Sequence, residues 1–132
     1  MGQGGTLVLD SEGLSKAVLN DRHVIALIRG AEEEGMRVVV SVLTLVEAHH
    51  RRVNSARFRW FVSRLAVEPV TEDIGRGAIG LLAEAGLHGH KYAIDAVVAA
   101  TALRTPPPQV IITSDPEDMR MLCESRVRIV KV

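Results

Sequence analysis

One cysteine, one tryptophan and one tyrosine occur in 132 residues, and aromatic side chains make up only 3% of the chain. With Cys123 alone, no internal disulfide can form, which fits a reducing compartment. Cys123 sits in an amphipathic stretch and is expected as a small core residue. With so few aromatics, the core has to come from Val, Leu, Ile and Ala. An excess of either charge is missing too: sixteen basic and sixteen acidic side chains give a formal net charge of zero. A domain that grips nucleic acid non-specifically is usually basic overall, so any such contact has to come from a local stripe. Long apolar runs are absent. The longest, Val38–Val46, is broken by Ser41 and Thr44 and is too short to span a bilayer. Met1–Thr6 carries no charged side chain and no long apolar region follows, so no secretory leader is expected. The glycines at 2, 4 and 5 are not followed by the Gly-Lys-Ser/Thr of a phosphate loop. These absences leave a soluble cytoplasmic protein with no membrane partner, folded as a single domain over residues 1–132.

What is present is an alternation of short apolar runs with helical patterns. Thr6–Leu9 reads as a first strand ending in Asp10, with Ser11 as the N-cap of the next helix and Glu12 in its first turn. Asp21 opens a second helix with Val24, Leu27, Ile28 and Ala31 on one face, and Gly35 ends it. Arg37–Val40 is a β-branched strand, and Ser41 caps a helix with Val42, Leu45, Val46 and His49 along one stripe. A short helix over Ala56–Leu65 follows the Asn54–Ser55 break. Val67–Val70, interrupted by Pro69, reads as an edge strand. Thr71 caps a helix that turns Ile74, Ala78, Leu81 and Leu82 inward and ends near Gly86. Leu87–Lys91 reads as a polar turn before the apolar segment Lys91–Arg104, which three prolines stop. Val110–Thr113 and Val127–Val132 are strands around a last helix that begins within Ser114–Asp118. The pattern predicts an α/β three-layer sandwich: a mainly parallel sheet of about five strands with helices on both faces.

Asp95 is the only charged residue between Lys91 and Arg104. Burying an unpaired charge is costly, so this carboxylate needs a cap, a partner or a metal. Taken alone, Asp95 reads as the N-cap of a helix starting at Ala96. Taken with other acids, it reads as part of a cluster. Ligands in an open α/β sheet bind outside the carboxyl ends of the strands. Asp10 and Asp115 follow strands expected side by side, Glu47 lies six residues after the Ser41 cap, and Asp95 is placed near its helix start, where the dipole would help ionise it. Carboxylates gathered this way repel unless a cation sits among them. All-oxygen ligation suits Mg²⁺ or Mn²⁺, and such ions assist phosphodiester hydrolysis.

The order of these motifs resembles the PIN-domain ribonucleases, and most nearly the VapC-like toxins of toxin–antitoxin pairs. The resemblance rests on Leu7-Val8-Leu9-Asp10-Ser11, Ser41-Val42-Leu43-Thr44-Leu45-Val46-Glu47, Asp95-Ala96-Val97-Val98-Ala99-Ala100 and Ile111-Ile112-Thr113-Ser114-Asp115-Pro116-Glu117-Asp118, and spans almost the whole chain. It implies Asp10, Glu47, Asp95 and Asp115 as catalytic, metal-binding acids, Ser11 and Thr113 as supporting hydroxyls, and Asp118 as a secondary acid. It also implies Mg²⁺ or Mn²⁺ as cofactor, RNA as substrate, a small antitoxin as partner, and a homodimer. Glu12 and Met119 depart from the family pattern without removing a candidate ligand.

Arg51, Arg52, Arg57, Arg59 and Arg64 are interleaved with Phe58, Trp60 and Phe61 and no acid. This stretch reads either as a surface for an RNA backbone, with Trp60 free to stack, or as a solvated helix whose aromatics turn to the core or to a dimer contact. Arg51 and Arg52 are candidates for contact with RNA or an acidic antitoxin tail, and Lys91 for contact with phosphate or for balancing the acids. His49, His50, His88 and His90 match no zinc spacing. Two other classes remain: a PIN-like binding or scaffold module without catalysis, and a receiver-like phosphoaspartate domain. The second lacks the strand-end lysine that its chemistry needs.

Overall fold

The computed structural model describes residues 4–50 and 52–132, so Arg51 lies outside the described residues. Five strands run in sequence order as β1 (Thr6–Leu9), β2 (Arg37–Ser41), β3 (Ala66–Glu68), β4 (Gln109–Thr113) and β5 (Arg128–Lys131). They pair in the spatial order β3-β2-β1-β4-β5, and every pairing is parallel. Among the described residues, seven helices cover the sheet: α1 (Ser11–Val18), α2 (Arg22–Glu33), α3 (Val42–Ala48), α4 (Ser55–Val62), α5 (Glu72–Ala85), α6 (Gly89–Leu103) and α7 (Pro116–Cys123).

The alternation of side chains along each strand divides the core in two. Leu7, Leu9, Val38, Val40 and Ile112 face α1, α2 and α4, where they meet Leu14, Val24, Ile28 and Phe61. Val8, Val39 and Ile111 face α5, α6 and α7, where they meet Ile74, Ala99, Met119 and Leu122. Both faces are dry, which explains why the central strands read as unbroken apolar runs. The three-layer sandwich expected from the sequence is therefore present, with a sheet parallel throughout. Cys123 is buried in the second core, as expected, and burial pushes its thiol up to about 11.

Most helix starts follow the side chains that signalled them. Asp21, Ser41, Asn54 and Thr71 each accept a backbone N–H at the start of α2, α3, α4 and α5. Gly86 ends α5 in the left-handed conformation at φ 67°. Three local expectations fail. Asp10, not Ser11, caps α1: its Oδ1 accepts the Gly13 N–H at 2.8 Å, and Ser11 becomes the first helical residue. The Leu87–Lys91 turn is shorter than expected, because α6 already begins at Gly89 with no side-chain cap from His88. Packing against α5 pulls this glycine-bearing segment into the helix despite weak local signals. In α3 the expected stripe is wrong: Val42 and Val46 are exposed at 40% and 68%, while Thr44 and Ala48 are buried. This short helix touches α1 of one layer and α6 of the other, so its inward face is set by a cleft at the sheet end.

β1 is the topological switch point: β2 and β3 lie to one side of it, β4 and β5 to the other. The carboxyl ends of β1 and β4 therefore open onto one crevice, the place where such sheets bind ligands.

Candidate metal centre

Asp10 leaves the carboxyl end of β1 and is 8% exposed. Its main-chain N–H donates to the Ile112 carbonyl at 3.1 Å, which ties it to the end of β4. Burial raises its carboxyl above the usual range. The Thr113 hydroxyl and the Gly13 and Ser114 main-chain groups oppose that rise, and the charge of Glu47 adds to it. The Thr113 hydroxyl also accepts the Asp115 N–H at 2.9 Å. With its one proton free to face Asp10, Thr113 fixes the β4 turn and the β1 carboxylate together.

Asp95 stands on α6, half-buried, and is neither a cap nor in the first turn. With His88 in the cap position, Asp95 is the seventh helical residue, beyond the reach of a helix-end dipole. Both the cap reading and the dipole argument are overturned. What acts on Asp95 instead is burial first, then the charges of Asp118, Glu47, Asp10 and Asp115, and together they push its carboxyl up to about 6. Every acid that the sequence singled out is thus brought within electrostatic reach of Asp95. They arrive from the β1 end, α3, the β4–α7 turn and the first turn of α7.

Asp118, a secondary candidate from sequence, has the largest charge effect on Asp95. Its own carboxyl is raised by burial, by a hydrogen bond with Asp115 and by the charges of Asp115 and Glu117, and Lys91 opposes the rise. Lys91, one turn before Asp95 on α6, thus acts on Asp118, and it is not among the groups that shift Asp95. Sequence spacing gave no sign of Glu117 as a contributor, because its effect depends on the α7 turn. Glu47 and Asp115 are exposed at the mouth of the crevice. Ser11 starts α1 beside Asp10, but the described hydrogen bonds to that carboxylate come from the Thr113 hydroxyl and from the Gly13 and Ser114 main chain.

Among the described residues, no three His, Cys, Asp or Glu side chains stand close enough to form a ready-made metal cage. The donor set nonetheless fits Mg²⁺ or Mn²⁺. It is all carboxylate, it carries mutually repelling charge, and Mg²⁺ keeps several waters while taking one or two carboxylates. The remaining candidates lie elsewhere. Arg52 is exposed, donates its N–H to His50 Nδ1 at 3.2 Å, and helps line an apolar cavity of about 380 Å³ with Val18, Leu19 and Phe58. Phe61 turns to the core, whereas Trp60 is 57% exposed. No helix among the described residues is long and apolar enough to cross a membrane.

No protein-family model matches the chain, and no curated protein sequence matches it. Solved structures do. A chain in the crystal structure of VapBC2 from Rickettsia felis, bound to a DNA fragment from their promoter, aligns with TM-score 0.75 over 96% of this chain and 98% of that one, at 13% identity. A chain of a toxin–antitoxin complex from Klebsiella pneumoniae aligns with TM-score 0.70 over 96% and 99%, at 19% identity. The chain therefore has the PIN-like α/β fold of VapC-type proteins, and the resemblance seen in its motifs holds at the level of the fold.

Proposed function

We infer that this protein is a divalent-metal-dependent endoribonuclease and the toxin of a toxin–antitoxin pair. The observation that carries the reading is the convergence on Asp95: its carboxyl is pushed up to about 6 by burial and by acids from four other positions. A carboxylate perturbed by burial and by nearby acids, at the crevice of an α/β sheet, is the pattern of a functional site. Asp10, Asp95, Glu47 and Asp115 are the residues that would hold Mg²⁺ or Mn²⁺, with Asp118 beside them. A bound ion supplies Lewis-acid activation of water and offsets charge on the phosphate oxygens. The chain itself supplies position. Asp10 is held by Gly13 and Thr113, and Asp95 is held by a helix of small residues packed against α5. A small antitoxin as partner is supported by structural neighbours that are toxin–antitoxin complexes; RNA as substrate and a homodimer belong to the same reading through the motif resemblance alone.

The test is cleavage of single-stranded RNA in Mn²⁺ by the wild type and by Asp95→Asn. The expected loss exceeds the ~10–100-fold that removing a mere supporting partner of a ligand costs. Unchanged cleavage in the variant would sink the assignment. The lack of a ready-made three-ligand cage among the described residues favours a second reading, a PIN-like binding or scaffold module. Calorimetry with millimolar Mn²⁺ separates the two: binding supports the nuclease, and a flat titration supports the module.

A further inference from the structure

The cavity of about 370 Å³ between the end of α1, α2 and α4 lies apart from the acids and is unused by the proposed chemistry. Ile25, Ile28 and Phe61 line it on the core side. Arg29 of α2, Arg57 of α4 and Arg64 in the turn after α4 line it as well, with Glu32 as the one acid, leaving three positive charges against one negative. Among the described residues, none of these three guanidinium groups forms an ion pair. Arg57 donates its Nε–H to the Val18 carbonyl, which anchors the side chain and leaves its two terminal amino groups for a ligand. Arg64 lies over the Trp60 ring, 5.2 Å from its centroid. A guanidinium stacked on an indole keeps its in-plane N–H donors free, and it is already ordered for a planar, bidentate acceptor.

We propose that this cavity anchors a phosphate of single-stranded RNA, held by Arg29, Arg57 and Arg64 with a flanking base against the exposed Trp60. Three guanidinium groups around a pocket of nucleotide size suit a polyanion carrying aromatic bases better than an apolar protein segment. The position is useful to the proposed nuclease. Asp10 caps one end of α1 and Ala17, near the other end, lines the cavity. Ala17 lies seven positions after Asp10, a rise of about 10 Å along the helix, a span that a short oligonucleotide bridges. The inference rests on the RNA reading above and adds a grip remote from the cleavage site.

Trp60 is the only tryptophan in the chain, so its emission reports on this cavity directly. A hexauridylate titrated into the wild-type protein in EDTA is expected to quench Trp60 saturably. The apparent affinity should fall with a log–log salt slope of about −0.7, for one phosphate neutralised on a single strand. Arg29→Gln combined with Arg64→Gln is expected to weaken the titration at least tenfold while leaving circular dichroism and melting unchanged. Single Arg29→Gln provides the same readout, at smaller effect, if the double variant folds poorly. Three results overturn the proposal: emission that stays flat while a labelled hexauridylate binds by anisotropy, a double variant that titrates like the wild type, or quenching by a glutamate-rich decapeptide but not by the oligonucleotide. The last assigns the cavity to a protein partner. Because no metal or cleavage enters this measurement, quenching that persists in a protein unable to cleave RNA would remove the nuclease reading and leave the RNA site standing.

Discussion

Asp95 costs the fold stability and supplies the site, and the two effects have opposite pH signatures. Its carboxyl titrates at about 6 in the folded chain against a reference value of 3.8. The folded state therefore binds the extra proton between those values, and stability falls as pH rises from about 4 to 6. Without divalent metal, Asp95→Asn should melt higher than the wild type at pH 8, by about 1 kcal/mol once partial solvent screening is allowed for. The gain should shrink through pH 6 and vanish near pH 4. Thermal melts in EDTA across that range check it, and a variant less stable than the wild type at pH 8 would refute the repulsion. Asp118→Asn removes the largest charge acting on Asp95, so it should lower the Asp95 pKa, read by carboxyl NMR. Thr113→Val should leave the fold intact but release Asp10, with a loss of cleavage of ~10–100-fold.

At the scale of elements, helix starts were readable wherever a side chain announces them, and obscure where packing alone sets them. Asp21, Ser41 and Thr71 all cap as their chemistry predicts, and Asn54, read only as a break, caps α4 one residue earlier than expected. At Asp10-Ser11 two good caps stand side by side, and spacing cannot choose between them. Only the Gly13 N–H contact does. The start of α6 has no cap signal, and its glycine and histidines look like a turn, so Asp95 was misplaced by two helical turns' worth of context. The inward face of α3 was misread because the helix bridges two layers instead of lying on one. Helix α5 carries its own liability in three interior glycines. A Cβ at Gly80 would meet nothing within 4 Å, whereas one at Gly77 would stand 2.5 Å from Arg104 Nη1. Arg104 is engaged there, donating Nε–H to Asp73 at 2.5 Å and an Nη1 proton to the Ala100 carbonyl at 3.3 Å. Gly80→Ala should stabilise the protein by ~0.5–1 kcal/mol, and Gly77→Ala by clearly less, because the guanidinium has to move. Urea melts of the two variants decide it. Equal gains would mean that Arg104 is not held in place.

For the whole molecule, the candidate site follows from topology more than from any motif. The apolar strands and the order of acids were legible along the chain. That the β1 and β4 ends are neighbours, with α3 and α6 closing over them, depends on strand order, which is not written locally. Asp118 outranks Asp115 in its effect on Asp95 for the same reason, since the first turn of α7 sets which acid comes near. A protein of zero formal net charge has thereby gathered several of its carboxylates at one edge, and the consequence is testable on the intact chain. If that edge binds Mg²⁺ or Mn²⁺, the ion relieves the repulsion that raises Asp95 and stabilises only the folded state. At ten times its dissociation constant it should add about 1.4 kcal/mol, which is a rise of a few degrees in melting temperature. The shift should be larger at pH 8 than at pH 5, because protons compete for Asp95 below its pKa of about 6. It should disappear in Asp10→Asn and Asp95→Asn, while Ca²⁺-free controls with monovalent salt of equal ionic strength leave all three proteins unmoved. A wild-type melt indifferent to millimolar Mn²⁺ at pH 8 would leave the acidic edge without its cation, and the binding or scaffold reading would then take the place of the nuclease.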